Sequence, residues 1–354
     1  MAEQADIVHL YNYLDLHSTD FAPVDFRSLH HRGVRFVRMF ESTPMRVAEY
    51  MGQQLEDVLN DPIPKLVIAQ YPERFLPTAR VVPNIVPQSD RLYSPPKDAP
   101  VIDVVFSPSW RQSAWAARWD TKGLPETEAM LADLGKQTGA NYRVIQGQPL
   151  REVMHAKQQA KLVIDELVTG SYHLSGLEGL SLAKPVLAFL DGRTERVLRE
   201  ITGADTCPFI NVRLEDAFEV LVHLLQHPDE AAEIGRASRE WIERFWSDRI
   251  LVRHFVDVYE KLLTDPCLVT RQESLRLDDS AVRFHALTLP DLVHRARAHR
   301  YDTEPSITGD GWKRPKRLIS WLRAAAVKYP INHVTKSLRA AQRIMRSLLV
   351  RGAS

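Results

Sequence analysis

Apolar side chains in the first 90 residues come in short runs, at DIVHLYN (6–12), VRFVRMF (34–40), KLVIAQ (65–70) and ARVVPNIV (79–86). Runs of this length and density predict strands. Between the second and third, MRVAEYMGQQLEDVL (45–59) repeats apolar positions at helical spacing. Strands alternating with helices predict a parallel, doubly wound sheet. VPQSDRLYSPPKDAP (86–100), with four prolines and polar filler, has linker composition and sets the boundary of a first domain at 1–90.

Alternation resumes after the linker. VIDVVFS (101–107), a helix over 125–138, YRVIQG (142–147), a helix from Leu150, KLVIDEL (161–167), a helix around Glu178 and PVLAFL (185–190) predict a second doubly wound sheet. PFINV (208–212) and three helices at 214–226, 229–245 and 247–263 complete a domain over 91–265. Glu215, Asp216, Asp229 and Ser247 or Asp248 stand at the helix starts as caps or first-turn acids. Residues 266–354 form a third region, irregular to 311 apart from a short helix over 289–300, then strongly basic.

Charge changes the picture only in that last region. Eleven Lys or Arg and no Asp or Glu lie between Trp312 and Ser354, in a chain whose formal net charge is +1. The body is therefore mildly acidic, which argues against a general nucleic-acid-binding surface. In the tail, Val334, Leu338, Ala341, Met345 and Leu348 fall on one helical face and Lys336, Arg339, Arg343 and Arg346 on the other. Such a helix suits an anionic membrane surface; the alternatives are a helix docked on the body, and RNA binding. There is no signal-like N-terminus and no run of 18 apolar residues. Cys207 and Cys267 form neither a disulfide framework nor a zinc spacing. Together these features point to a cytoplasmic location, peripheral on a membrane face if the tail binds lipid.

LSGLEGLSLAKPV (174–186) contains one carboxylate, Glu178, among leucines that point to several sides of a helix. A buried carboxylate needs donors or a proton, and the donors can come from protein or ligand. TGSYH (169–173) leads into this helix, so amides of Gly170, Ser171, Tyr172 and His173 are placed to meet a phosphate. The competing reading is a tight turn and a Glu held by a neighbouring Arg or His. Lys122 follows the first strand of the second domain, where a cation faces a ligand phosphate or is simply solvated. Glycine-rich nucleotide loops, GxSxG, HExxH and Asp-x-Asp are missing, and the 13 histidines show no metal-ligand spacing.

From Val82 to Leu263 the chain resembles the nucleotide-sugar-binding half of GT-B glycosyltransferases of the family 4 and family 1 group. The pieces that carry the resemblance are VPNIVP (82–87), DTKG (120–123), GSYHLSGLEGLSLAKPVLAF (170–189) and IGRASREWIERFWSDRILVRHFVDVYEKLL (234–263), in that order. DIVHLYNY and the later elements extend it to 6–264, as the end of an acceptor-side domain. The resemblance implies two Rossmann-like domains, the first shortened, and sugar transfer from a nucleotide-sugar donor to a glycan or lipid-linked acceptor. It implies retention of anomeric configuration and no metal or other cofactor. Lys122 matches a lysine on the donor diphosphate, and Glu178 the second acid of a paired-glutamate motif, which holds the ribose. The first acid of that motif is replaced by Gly170, and the chain opens without a glycine-rich first turn. No catalytic base is assigned; His9 and Glu41 read as structural. The alternatives are a non-catalytic binding or assembly subunit and a sugar-nucleotide epimerase or other GT-B enzyme.

Overall fold

The computed structural model describes residues 5–68, 75–108, 122–276 and 284. These lie in one compact unit, Met1–Ala296. The basic tail and the helix expected over 289–300 lie outside the described residues.

The first sheet has strands β1 (Ile7–Tyr11), β2 (Arg35–Phe40), β3 (Lys65–Ile68) and β4 (Arg80–Val82) in the order β1-β2-β3-β4. All pairs are parallel. Sequential order with right-handed crossovers puts every connecting helix on one face. Accordingly Leu10, Phe36, Phe40, Val67 and Val81 pack under α1 (Phe26–His31), α2 (Pro44–Met51) and α3 (Leu55–Asn60). A parallel sheet needs its second face covered as well. That cover is α10 (Asp248–Thr264), whose Phe255, Val258, Tyr259 and Leu262 pack on Val37, Met39, Leu66 and Ile68. Arg80 and Asp257 join the two at 2.7 Å. On the open edge, Gln272 accepts from the Val81 amide and donates to its carbonyl, which occupies the unpaired groups of β4.

Two first-domain expectations are corrected. The helix expected over 45–59 is two helices, because Gly52 turns left-handed (φ 66°) and caps α2 before α3 begins at Leu55. The strand expected to reach 86 stops at Val82, since Pro83 has no amide for the ladder.

His9, in β1, meets the Tyr259 hydroxyl of α10 at 2.9 Å, and among the described residues its Nε2 has no hydrogen-bond partner. Burial holds this imidazole down at about 4, against 6.5 for a free histidine. An unfolded His9 therefore takes up a proton near 6.5, whereas the folded one resists until near 4, so stability falls as pH falls through that window. Two and a half pH units correspond to about 3 kcal/mol. Urea melts at pH 7.5 and 4.5 are expected to differ more for the parent chain than for His9→Asn; equal acid sensitivity would refute the assignment.

The second sheet contains β5 (Ile102–Phe106), β6 (Tyr142–Val144), β7 (Ala160–Glu166), β8 (Val186–Ala188) and β9 (Ile210–Asn211), ordered β6-β5-β7-β8-β9 and all parallel. The chain steps to one side of β5 and then to the other, so the crossovers fall on opposite faces. Beneath one face lie α4 (Leu124–Thr138) and α8 (Leu214–Gln226), against Val104, Phe106, Leu162 and Ile164. Opposite, α5 (Leu150–Gln158), α6 (Leu174–Ser181) and α7 (Gly192–Thr202), with α9 (Pro228–Phe245), cover Val105, Val163 and Val186. The two Rossmann-like parallel sheets are the expected fold class. Among the described residues, α1 in the first sheet's part and α7 in the second's have no counterpart in the sequence reading, although Asp25 caps the start of α1, and Asp191 and Gly203 cap the start and end of α7.

Helix α9 reaches α6 by way of a missing side chain. A Cβ on Gly235 would stand 2.2 Å from the Ala183 carbonyl oxygen, in a backbone turn where Ala183 itself has φ 57°. Neither backbone can yield without separating helix from turn. Gly235→Ala is expected to cost about 1–3 kcal/mol, read as a lowered midpoint in urea, while Gly192→Ala, with nothing within 4 Å of the added carbon, serves as its neutral control.

Candidate functional site

Strand order reverses at β5, so the crevice between the carboxyl ends of β5 and β7 is the topological switch point, where ligands bind in open parallel sheets. The polar residues at that edge are assembled from several elements distant in the chain.

At the end of β7 stand Asp165 and Glu166, both fully buried. Asp165 accepts from the Lys122 ammonium at 2.7 Å and from the His173 amide at 2.6 Å. The His173 ring nitrogen Nδ1 is 3.7 Å from the same carboxylate. Burial, reinforced by the charge of Lys122 and opposed by Asp165, holds His173 at about 4, hence neutral at pH 7. Glu166 accepts the amides of Val168, Thr169 and Ser171, and so folds the loop that follows β7 around its own carboxylate. Burial pushes Glu166 up to about 7 against the pull of those amides.

A second group lies one turn into α6. The Lys157 ammonium, at the end of α5, donates to Glu178 Oε2 at 2.6 Å and to the Ser175 carbonyl and hydroxyl at 2.9 Å each. Ser175 in turn meets the Ser107 hydroxyl just beyond β5 at 2.8 Å. Burial draws Lys157 down from the ordinary lysine range, and the Glu178 carboxylate pulls it back. Tyr93, from the segment between the two sheets, is raised by burial and then by Glu178.

The residues singled out from sequence are therefore gathered at one sheet edge, but several are already engaged. Lys122 pairs with Asp165 and Glu178 with Lys157, a lysine where an Arg or His was weighed. Of the amides expected to meet a phosphate, those of Ser171 and His173 are donated to Glu166 and Asp165. Tyr172 is a core residue: its ring stacks on Phe209 and meets Trp246 edge-on, and among the described residues its hydroxyl has no partner. Gly170 has φ 81°, and a Cβ there would lie 3.0 Å from the Cβ of Asp191. The position is shaped for glycine, with an Asp191 side chain against it.

Lys157, Asp165, Glu166, Ser107 and Ser175 were not found from sequence. Asp165 and Glu166 had a signal, two acids closing an apolar run at the carboxyl end of a parallel strand. Lys157 had none, since HAKQQAK reads as a solvated helix end.

No protein-family model matches the chain, and no curated protein matches it. Solved structures do. A mutant of S. aureus TarM, crystallised with Fondaparinux, alpha-GlcNAc-glycerol and UDP, is 12% identical with a TM-score of 0.43; the match covers 65% of this chain and 55% of TarM, little more than half its length. Sucrose-phosphate synthase from Thermosynechococcus elongatus is 13% identical with a TM-score of 0.46, over 73% of this chain and 74% of that one. A glycosyltransferase from Rickettsia africae is 15% identical with a TM-score of 0.44, over 73% and 77%.

Proposed function

We propose that this chain is a glycosyltransferase that moves a sugar from a nucleotide-sugar donor to a glycan or lipid-linked acceptor, with retention and without a metal. The observation that carries this reading is the buried Lys122–Asp165 pair at the switch point between β5 and β7. An ammonium has three donors, and the Asp165 contact uses one. Among the described residues no other acceptor meets this ammonium, which leaves the remaining donors for the diphosphate of a donor, whose charge grows as the glycosidic bond to the sugar breaks. A cation fixed in advance stabilises that charge without reorganisation, which is the larger part of what such a site contributes. Glu178 plays the complementary role. Lys157 occupies Oε2, and Oε1 can accept from ribose hydroxyls.

Thermal shifts with UDP, GDP, ADP and their sugars test the reading, because a ligand at 100 times its dissociation constant stabilises by about 2.7 kcal/mol. Glu178→Gln is the variant of choice, since the amide oxygen still accepts from Lys157 while the carboxylate is lost; Glu178→Ala would strand the buried ammonium. A shift with one nucleotide that is reduced in Glu178→Gln supports the site. A well-folded chain that responds to none of them refutes it.

A second reading, a non-catalytic binding or assembly subunit, is favoured by Gly170, where a left-handed backbone and the Asp191 side chain crowd any residue larger than glycine. Turnover only in the presence of a partner would support it. For the tail, we propose contact with an anionic membrane; co-sedimentation with phosphatidylserine vesicles that persists after removal of 312–354 would argue against that. No helix among the described residues is long and apolar enough to cross a membrane.

A further inference from the structure

Helices α8 and α9 meet at a tight corner whose three polar residues face one another. His223 lies in the last turn of α8, His227 is the junction residue, Pro228 opens α9, and Glu230 lies in its first turn. The two imidazoles stack with centroids 4.1 Å apart and planes 24° from parallel. His223 Nε2 stands 2.8 Å from Glu230 Oε2. One ligand atom from each of the three residues lies within 4.8 Å of the other two, and all three are exposed; the four-residue step from His223 to His227 was passed over when the histidines were read as lacking metal-ligand spacing.

The decisive contact is at His227. Its Nδ1 is 2.8 Å from the His223 carbonyl oxygen. A carbonyl only accepts, so Nδ1 carries a proton, and in the neutral ring Nε2 holds the lone pair that a metal needs. A backbone carbonyl that fixes the tautomer and orientation of a histidine is the usual outer partner of a metal-ligating imidazole. Proline at the first position of α9 fixes the backbone of the corner, so convergence on one ion needs the exposed imidazoles to rotate out of their stack but no movement of the helices.

We propose that His223, His227 and Glu230 bind a divalent transition metal of the zinc class. Two imidazoles and one carboxylate suit zinc, cobalt, nickel or copper, whereas magnesium and calcium prefer oxygen ligands alone. Zinc is commonly held at about 2.0–2.2 Å by such nitrogen and oxygen donors in tetrahedral geometry, so one position remains for water. Binding breaks the hydrogen bond between His223 and Glu230: a protonated His223 gives one proton to solvent, and a neutral ring takes the tautomer that leaves its ligating nitrogen unprotonated. It joins the end of α8 to the start of α9 and so pins the helical corner.

The site is separate from the sheet edge discussed above. Leu214, the first residue of α8, bonds through its amide to the Leu167 carbonyl just beyond β7, and the helix runs back along the sheet from there. Nine residues at about 1.5 Å each place His223 roughly 14 Å further along the helix axis, towards the opposite edge. The proposal is therefore independent of the glycosyltransferase reading.

The test is zinc titration of the full chain, stripped with EDTA and exchanged into metal-free buffer, followed by calorimetry and by thermal melts. The parent chain is expected to take up one equivalent at this site and melt a few degrees higher, with no response to magnesium at the same concentration. His223→Ala/His227→Ala is expected to lose that equivalent and the shift, and Glu230→Gln to weaken binding at least tenfold. All three side chains are exposed, so unliganded melts should match the parent. Failure of the parent to bind zinc, or the same affinity and stoichiometry in the double variant, would overturn the proposal.

Discussion

Replacing Lys157 by methionine is expected to lower the free energy of unfolding by about 3–5 kcal/mol, the usual cost of removing one partner from a buried ion pair. The side chain is fully buried, and its ammonium meets Glu178 and both oxygens of Ser175. Without it Glu178 remains in an apolar surround and must either stay charged at a large desolvation cost or take up a proton. Replacing both residues, as Lys157→Met/Glu178→Leu, is expected to recover most of the loss, because apolar groups of similar volume often serve stability as well as a buried pair does. Urea unfolding of the two single variants and the double variant closes the cycle. Additive losses would show that the two charges do not depend on one another. Recovery of stability without recovery of nucleotide binding would separate the structural role of the pair from its role toward a ligand.

Lys122→Met is expected to have an effect of similar size, again about 3–5 kcal/mol near neutral pH, since Asp165 is fully buried and loses its cation. Here a neighbour can respond. The positive charge of Lys122 is one of the forces that hold His173 down at about 4, and Asp165 pulls the other way. With Lys122 gone, the imidazole titrates higher and pairs with Asp165 when it takes up a proton. A folded-state pKa that rises toward or above the unfolded value favours the folded state at low pH and loses that benefit as pH climbs through it. The variant should therefore lose less stability relative to the parent in acid than at pH 7.5. An imidazole proton titration by NMR reads the shift directly; a His173 that still titrates near 4 in Lys122→Met would mean that burial alone sets it.

Much of the architecture was legible because it follows from short-range patterns. Each strand of both sheets was marked by an apolar run, and β7 shows why such runs are continuous: helices cover both faces, so alternation has no purpose. The last three helices were legible from their periodicity and first-turn acids. Errors came where one residue's backbone decides the outcome, as at Gly52, which splits one predicted helix into two, and Pro83, which ends a strand early.

At the candidate site, the sequence by itself determined which loops would meet at the carboxyl edge of the second sheet. Alternating strands and helices admit few right-handed connections, and those bring Lys122, the 169–173 loop and Glu178 to one place. Tertiary structure alone decided what those residues touch. Asp165 reaches Lys122 across 43 residues and Lys157 reaches Glu178 across 21, separations at which no periodicity links one side chain to another. The same holds for α10, which follows the second sheet in the chain but covers the open face of the first. Local composition records whether a residue can be buried; which charge or surface meets it depends on the packing of distant elements, and that exists only once the chain has folded.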